Sequence, residues 1–301
     1  MTEKVVEIKN LTKDYGMGQG VFNISFDIHK GEMLGFVGSN GAGKTTTIRN
    51  IMGFLKPTSG EILVHEMDSW KDSEKIKKYI GYVPGEIAFP DLKTGTDFIK
   101  SQAEFLGLKD LSYANYLIEK LQLDPSASLK RMSKGMKQKT AIVVALMANP
   151  EIIILDEPTT GLDPLMRVAF MEIIKAEKDK GKTILISSHL YEELEPYCDR
   201  VVLINKGKLV DIADMGKIKS RPILDYKIEF NKKTDYQTFK TLGYNIIRDQ
   251  EKYNQVTVSI EKSNLNKLFL QLTKFDVKFL AEVKYTLEKH FNKIIKENKN
   301  D

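Results

Sequence analysis

Residues 38–46 carry the residue types that bind a nucleotide phosphate, in the order Gly-Ser-Asn-Gly-Ala-Gly-Lys-Thr-Thr. The glycines allow the backbone to form a nest of N–H donors around the β- and γ-phosphates. Lys44 supplies a cation for these phosphates, and the hydroxyl of Thr45 is a ligand for Mg²⁺. The apolar run at 33–37 before this loop predicts a buried strand, and a helix is expected at 45–53. The pattern therefore predicts a nucleotide-phosphate site at the end of a strand.

Two neighbouring acids, Asp156 and Glu157, follow the continuous apolar run at 152–155. A strand that ends in this way places Asp156 at its carboxyl end, near the phosphate loop. Asp156 is predicted to hold Mg²⁺ directly or through water, and Glu157 to orient or deprotonate the water that attacks the γ-phosphate. An ordinary strand end would look similar, but the following residues 158–164, Pro-Thr-Thr-Gly-Leu-Asp-Pro, favour the catalytic interpretation.

Two further motifs are weak when each is taken alone. Residues 132–138 read Met-Ser-Lys-Gly-Met-Lys-Gln, a helix start in which Ser133 is an N-cap residue and Gly135 permits close approach of a phosphate. His189 follows the run Ile-Ser-Ser at the end of another apolar strand. A helix start of this kind is common, and a single histidine is usually structural.

The elements around these motifs alternate between strands and helices. Strands are expected at 5–9, 21–28, 61–65, 183–187 and 201–204, with helices at 134–148 and 165–180. Parallel-type strands with intervening helices favour an α/β core, into which a mostly helical block at about 95–148 is inserted. The pattern changes near residues 220–222. Beyond it, strands at 226–230 and 256–260 and helices at 265–273 and 287–296 predict a small α+β appendage.

Composition bounds the class of protein. A chain of 301 residues is long enough for two domains, and its one cysteine, Cys198, excludes a disulfide framework within the chain. No apolar run reaches the ~18–20 residues that span a membrane, and the N-terminus lacks the apolar core of a signal peptide. The formal net charge is +5, and the excess lies in residues 221–301. Because the lysines there are scattered, they indicate a solvated face rather than a nucleic-acid arm.

Taken together and in this order, the motifs resemble those of the ATPase subunit of an ABC transporter, over about residues 3–218. The phosphate loop matches the Walker A motif, residues 133–138 match the family signature in a variant form, and residues 152–156 match Walker B. Asp163 lies at the D-loop position and His189 at the switch-histidine position. Tyr15 matches the aromatic residue that stacks on adenine. The matched nucleotide-binding positions are Tyr15, Gly38, Ser39, Asn40, Gly41, Ala42, Gly43, Lys44, Thr45, Thr46, Ser133 and Gly135.

The resemblance implies a fold and a set of roles. The expected architecture is a RecA-like P-loop ABC ATPase core at 1–218 with a helical subdomain at about 86–145, followed by an accessory α+β domain at 219–301. Glu157, His189 and Lys44 are the expected catalytic residues, and ATP and Mg²⁺ the expected substrate and cofactor. Two cassettes pair head to tail in the family, so Ser133 and Gly135 would complete the γ-phosphate cage of a partner. Asp163 would signal between the two sites.

The sequence departs from the family pattern at two places. Residues 82–86 read Tyr-Val-Pro-Gly-Glu where the family usually has a glutamine after Tyr-x-Pro, and Glu86 is expected to take its place as an oxygen ligand of Mg²⁺. Alternatively, Gly85 stands at that position and the contact is absent. In the signature, Lys134 replaces the first glycine. Both departures are familiar in a branch of bacterial exporters of antibiotics, peptides, lipids or ions.

The leading hypothesis is therefore the ATPase subunit of an ABC exporter, held at the cytoplasmic face of the membrane by a separate permease. Residues 86–99, including Phe89 and Phe98, are expected to receive the permease, unless these aromatics form subdomain core. The second partner is another copy or a homologue of the chain, and no nucleic acid is expected. The alternatives are an importer ATPase with a regulatory tail and a soluble ABC ATPase that acts on ribosomes or DNA.

Overall fold

A computed structural model describes residues 3–297 of the chain, and these divide into two compact units. The first unit ends at Ala213 and the second begins at Asp214. This division falls a few residues before the boundary predicted at 218/219. The outer ends of the two predicted domains, residues 1–2 and 298–301, lie outside the described residues.

The first unit contains most of the strands and helices of the chain. Its strands are β1 (Lys4–Gly16), β2 (Gln19–His29), β3 (Met33–Val37), β4 (Ser59–Val64), β5 (Met67–Asp68), β6 (Ile80–Val83), β7 (Ile152–Leu155), β8 (Thr183–Ser188), β9 (Arg200–Asn205) and β10 (Lys208–Asp214). Its helices are α1 (Lys44–Ile51), α2 (Ser73–Ile76), α3 (Gly95–Phe105), α4 (Ser112–Lys120), α5 (Lys134–Leu146), α6 (Pro164–Asp179) and α7 (Tyr191–Leu194).

A sheet with a parallel centre positions the predicted site. In the described part of the first unit, its six strands follow the order β10-β9-β3-β8-β7-β6, and β3 pairs in parallel with both β8 and β9. Every residue of β3 and β7 is buried, as expected for strands covered on both faces. Because the strands are parallel, the carboxyl ends of β3, β7 and β8 lie at the same edge of the sheet.

A second sheet in the same unit is antiparallel and follows the order β2-β1-β4-β5. Apolar side chains of β1 and β2 pack in one core with the parallel strands and α1, including Val6, Ile24, Phe36 and Ile48. Phe26 and Phe36, one from each sheet, lie with ring centroids 5.6 Å apart. This packing fixes the β1–β2 turn, with Tyr15 before it, relative to the phosphate loop after β3.

The helical block between β6 and β7 contains α3, α4 and α5. Within the mostly helical block predicted at about 95–148, α3 ends at Phe105 and α4 begins at Ser112, with Gly107 at φ 68° between them. Thr94 begins α3 with a reciprocal capping box to Asp97. None of the helices formed by residues 3–297 combines the length and the apolar character needed to cross a bilayer.

The second unit has its own sheet and its own core. Its elements are α8 (Met215–Lys219), β11 (Ile223–Phe230), α9 (Lys233–Lys240), β12 (Asn245–Gln250), β13 (Gln255–Glu261), α10 (Leu265–Leu272), β14 (Val277–Glu282) and α11 (Leu287–Glu297). The four strands are antiparallel in the order β12-β13-β11-β14. Phe230, Phe239, Val258 and Leu268 are buried between this sheet and its helices. An α/β unit followed by a small α+β unit is the predicted fold class, which is thereby confirmed.

Candidate active site

The phosphate loop occupies the turn between β3 and α1, with glycines at the positions where side chains would not fit. Gly41 and Gly43 have φ values of 78° and 110°, in the region that favours glycine. A Cβ atom at Gly43 would lie 2.5 Å from Cγ1 of Val21, and one at Gly38 would lie 2.5 Å from the carbonyl oxygen of Ile204. The loop backbone is thus held close to its neighbours. The N–H of Ala42 donates to the carbonyl oxygen of Ser39 at 3.0 Å, and a glycine-rich turn of this kind can offer N–H donors to a phosphate.

Lys44 is buried at the first turn of α1, with only 4% of its surface exposed. Its Nζ atom donates hydrogen bonds to the carbonyl oxygens of Gly38 and Ser39, at 2.7 and 3.2 Å. The same nitrogen lies 3.1 Å from Oε1 of Glu157. Backbone and carboxylate oxygens together offset the cost of burying the ammonium group and hold it at the mouth of the loop.

Glu157 lies directly after β7 and contacts both a lysine and a histidine. Its second carboxylate oxygen, Oε2, is 3.3 Å from Nδ1 of His189. Its backbone has φ 48°, an uncommon conformation for a residue with a side chain. The Glu157 N–H donates to Oγ of Ser187 at 2.9 Å, which anchors this turn to the end of β8. Glu157 therefore contacts both of the other predicted catalytic residues, Lys44 and His189.

Asp156, the first of the two predicted acids after β7, is fully buried. Oδ1 accepts a hydrogen bond of 2.8 Å from the Ser187 hydroxyl, whereas Oδ2 has no donor in hydrogen-bond geometry among the described residues. Burial raises the pKa of this carboxyl above its ordinary value of 3.8, against the opposing effect of the Thr45 and Ser187 hydroxyls. A Cβ atom at Gly85 would lie 3.3 Å from Oδ2. A buried carboxylate oxygen without a partner, beside a hydroxyl, fits a hard cation such as Mg²⁺.

A cleft of about 1010 Å³ opens over the phosphate loop. Its walls come from the β1–β2 turn, the loop and α1, the segment after β6, the start of α5, the turn after β7 and the β9–β10 turn. The lining residues are Tyr15, Gly18, Gln19, Gly20, Asn40, Gly41, Gly43, Lys44, Thr45, Thr46, Arg49, Gly85, Glu86, Lys134, Glu157, Thr160, Lys206 and Gly207. The exposed Tyr15 ring, the phosphate loop and Glu157 thus line one cavity large enough for a nucleotide.

The signature residues lie at the start of α5. Ser133 is the N-cap, and its Oγ accepts a hydrogen bond of 3.2 Å from the N–H of Met136. Gly135 lies so close to the D-loop, residues 161–163, that a Cβ atom would lie 2.6 Å from the carbonyl oxygen of Gly161. Asp163 caps α6 by accepting from the N–H of Met166 at 3.0 Å. Ser133, Gly135 and Asp163 do not line the cleft described above, whereas Lys134 does.

Sequence reasoning missed several residues of the site. Ser187 links Asp156 to the Glu157 backbone, and Arg49, Gln19 and Lys206 line the cleft. Arg49 had a usable signal, because it lies four residues after Thr45 and hence on the same face of α1. Ser187 stands two residues before the predicted histidine, but nothing in its sequence context shows which carboxylate it contacts.

Comparison with known proteins defines the class to which this fold and site belong. Residues 21–160 match the ABC transporter family model. The chain is 32% identical over 301 residues to the bacitracin transport ATP-binding protein BcrA of Bacillus licheniformis, covering 97% of each chain. It is 36% identical over 222 residues to the linearmycin resistance ATP-binding protein LnrL of Bacillus subtilis, covering 72% of this chain and 71% of that one.

Solved structures agree with this assignment. The ATP-binding subunit of an ABC transporter matches with a TM-score of 0.65 and 27% identity, over 89% of this chain and 99% of the other. A dimeric post-hydrolysis state of the ATP-binding cassette MJ0796, bound to ADP and Pi, matches with a TM-score of 0.64 and 25% identity. The match covers 70% of this chain and 98% of the other.

The chain belongs to the family of ABC transporter ATP-binding proteins. The resemblance stated from the motifs is therefore confirmed, and so is the predicted enzyme class, ATP hydrolase. The family binds ATP, and its solved cassettes include dimers.

Proposed function

We propose that this ATPase drives export of a peptide, an antibiotic or another amphipathic substrate through a separate permease. The observation that carries the proposal of ATP hydrolysis is that Glu157, which lines the cleft, contacts both Lys44 and His189, and this supports a role for Glu157 as the base. The direction of transport is supported by the match to LnrL, which is named a linearmycin resistance protein. An antibiotic as substrate is supported by the match to the bacitracin transport protein BcrA, which extends over both units of the chain. The work of export would come from ATP binding and hydrolysis.

The proposed mechanism starts with ATP in the cleft, its base against Tyr15 and its phosphates in the loop. Lys44 and the loop N–H groups bind the β- and γ-phosphates, and Arg49 adds positive charge to the same wall. Glu157 orients a water molecule for attack on the γ-phosphate and accepts its proton. His189 holds the Glu157 carboxylate from the opposite side to Lys44 and contacts the γ-phosphate.

Asp156 and Thr45 are the proposed Mg²⁺ ligands. The buried Oδ2 of Asp156 fits the ion because no described group donates to it in normal hydrogen-bond geometry, and the Thr45 hydroxyl is close enough to lower the pKa of this carboxyl. When bound, Mg²⁺ neutralises charge that develops on the phosphate oxygens. Glu86 is exposed in the wall of the same cleft, next to Gly85, and we propose that it contributes an oxygen ligand in place of the usual glutamine.

The proposed working unit is a head-to-tail dimer with a second copy or a homologue. Ser133 and Gly135 lie outside the cleft that holds Lys44, so their phosphate contacts would be made with a partner's nucleotide. Closure on ATP and opening after hydrolysis would supply the motion. Asp163, which caps α6 next to the signature, would report the state of one site to the other.

The proposed permease contact is the segment at 86–99. The rings of Phe89 and Phe98 pack with centroids 4.9 Å apart and both are half-buried, so they form a small apolar surface there. Binding to a permease would hold the chain at the cytoplasmic face of the membrane. The second unit, 214–301, is proposed as an additional interface between subunits.

The test is purification of the tagged chain from detergent-solubilised native membranes. We expect a polytopic membrane protein in stoichiometric amount, and its loss when Phe89 and Phe98 are both replaced by serine. The matched control is Phe105→Ser, because Phe105 is 84% exposed on the same helical block but outside the segment. Recovery of ribosomal proteins or nucleic acid instead would refute the transporter role. Import rather than export of the substrate in vesicles would refute the direction.

A further inference from the structure

The short helix α7 carries a glutamate, Glu193, that contacts both catalytic segments. Its Oε2 atom accepts hydrogen bonds from the hydroxyl of Ser188 at 2.7 Å and from the hydroxyl of Thr159 at 2.9 Å. Ser188 directly precedes His189, and Thr159 lies two residues after Glu157. One carboxylate oxygen therefore joins the turn after β7 to the end of β8.

The surroundings of this carboxylate fix the direction of each hydrogen bond. An ionised carboxylate can only accept, so both hydroxyls donate to it. The oxygen of Ser188 in turn accepts a hydrogen bond of 3.0 Å from the N–H of Leu190. The residues on both sides of His189 are therefore hydrogen-bonded. Thr159 and Ser188 are 6% and 3% exposed, and buried bonds to a charged group are stronger than exposed neutral ones.

The other oxygen of Glu193 is linked to the D-loop through the side chain of Arg167. Oε1 lies 3.5 Å from Nη1 of Arg167, and Nε of Arg167 donates to the carbonyl oxygen of Leu162 at 3.1 Å. Leu162 directly precedes Asp163. The carboxylate thus connects the D-loop, the Glu157 turn and the His189 segment without contacting the cleft itself, because Glu193 is not among the residues that line it.

The Glu157 turn needs such support. Glu157 has φ 48°, which is a strained conformation for a residue other than glycine, and the surrounding structure must maintain it. Ser187 holds the N–H of Glu157, and the N–H of Thr160 bonds to its carbonyl oxygen at 3.2 Å. On the far side of this turn, the hydroxyl of Thr159 donates to Glu193 and its carbonyl oxygen accepts from the N–H of Leu162 at 3.1 Å.

We propose that Glu193 is a positioning residue for ATP hydrolysis, which holds Glu157 and His189 in the arrangement required for attack on the γ-phosphate. The inference rests on the proposed catalytic roles of Glu157 and His189. Because Glu193 makes no contact with the cleft, its loss should slow hydrolysis without weakening ATP binding. Misplacement of a catalytic group by about 1 Å can lower a rate by about 10²-fold.

The test compares Glu193→Gln and Glu193→Ala in the purified full-length protein. The amide of Gln has only one acceptor oxygen. If this oxygen accepts from the two hydroxyls, the NH₂ group faces Arg167, which is also a donor, and the reverse orientation places the NH₂ group against the hydroxyls. We expect kcat to fall roughly tenfold for Gln and up to about 10²-fold for Ala, with KM for ATP and the melting temperature of the Gln variant close to wild type. Glu192→Gln is the matched control, since it removes the same charge from an exposed position on the same turn.

A second variant keeps the test sharp if Glu193→Ala does not fold. Ser188→Ala removes the hydroxyl next to His189. The double variant Glu193→Gln/Ser188→Ala should be clearly less impaired than the product of the two single effects predicts, because both act through one network. Unchanged kcat in Glu193→Gln, or a fall in kcat matched by equal losses of ATP affinity and melting temperature, would overturn the positioning role. Glu157→Gln, measured in the same assay, distinguishes failure of the positioning role from failure of the proposed function. Full activity in that variant would refute the catalytic role of Glu157 itself.

Discussion

Nζ of Lys44 lies 3.1 Å from Oε1 of Glu157, so the cation of the phosphate loop and the carboxylate after β7 share one corner of the cleft. The lysine is almost fully buried, whereas about a quarter of the Glu157 side chain is exposed. The proposed roles of the two side chains, phosphate binding by Lys44 and water activation by Glu157, therefore meet in this contact.

Glu157→Gln should abolish most hydrolysis and preserve ATP binding. The amide keeps the size and some hydrogen bonds of the carboxylate but cannot accept a proton, and general-base catalysis contributes about 10²–10⁴-fold. ATP affinity should be equal or higher, because the variant removes the negative charge that lies beside Lys44. Steady-state phosphate release gives the rate, and titration with a fluorescent ATP analogue gives the affinity.

The matched control for this variant is Glu172→Gln, which neutralises an exposed glutamate in the middle of α6. It should leave both the rate and the affinity at wild-type values. A Glu157→Gln variant that hydrolyses ATP within a few-fold of wild type would contradict the assignment of the base.

Asp156→Asn should make the protein more stable while making it inactive. The pKa of Asp156 is raised by burial, so the folded state binds the proton more tightly than the unfolded state does. The contribution of this carboxyl group to the free energy of unfolding is therefore fully present below pH 3.8, the ordinary pKa of the unfolded state. It is lost as the pH rises through the higher pKa of the folded state. At neutral pH the buried charge therefore costs stability, and the asparagine removes it while its carbonyl oxygen can still accept from Ser187.

The measurement is thermal unfolding in EDTA at several pH values. We expect the melting temperature of Asp156→Asn to exceed that of wild type by roughly 2–4 °C at pH 8, which corresponds to about 1 kcal/mol, and the difference to shrink toward pH 4. Added Mg²⁺ with ATP should stabilise wild type more than the variant. A variant less stable than wild type at pH 8 would contradict the account.

The candidate nucleotide site was largely definable from sequence because its residues are local. The glycines, Lys44 and Thr45 are contiguous, and backbone geometry alone brings them together after a buried strand. The acids at 156–157 follow a four-residue run of buried apolar side chains, so their place at the sheet edge also follows from pattern. What the pattern lacked was the identity of their partners: Ser187 lies 31 residues from Asp156, and no periodicity encodes that hydrogen bond.

The fold was predicted best where strands are fully buried and least well at the edges of sheets. No strand was predicted at β12 or β14, the edge strands of the second unit, because exposed and buried residues do not alternate clearly in either. Helix α9 was also missed, since only Tyr236 and Phe239 of its eight residues are buried. In each case tertiary packing, rather than local pattern, determines the element.

Gly135→Ala should slow hydrolysis by displacing the start of α5 from the D-loop. The added methyl group would lie 2.6 Å from the carbonyl oxygen of Gly161, a backbone atom that cannot move without shifting the turn. Overpacking of this kind costs about 1–3 kcal/mol, so a lower melting temperature is also expected. ATP affinity measured on the isolated chain should be retained, because Gly135 does not line the cleft. Wild-type kcat in a folded Gly135→Ala protein would contradict this coupling.

Tyr82→Phe should protect the protein at alkaline pH. Burial, together with the nearby Asp156 charge, raises the pKa of the Tyr82 hydroxyl to about 12 from an ordinary value of 10.0. The folded state thus favours the neutral phenol, and the resulting stability is present below pH 10 and lost as pH rises toward 12. Phenylalanine has no proton to lose, so the stability of the variant relative to wild type should increase between pH 9 and pH 11 in chemical denaturation. Tyr15→Phe, at a ring that is 54% exposed, is the control for the loss of a tyrosine hydroxyl outside the core. A Tyr82→Phe curve parallel to wild type across this range would show that the hydroxyl is not held neutral by the fold.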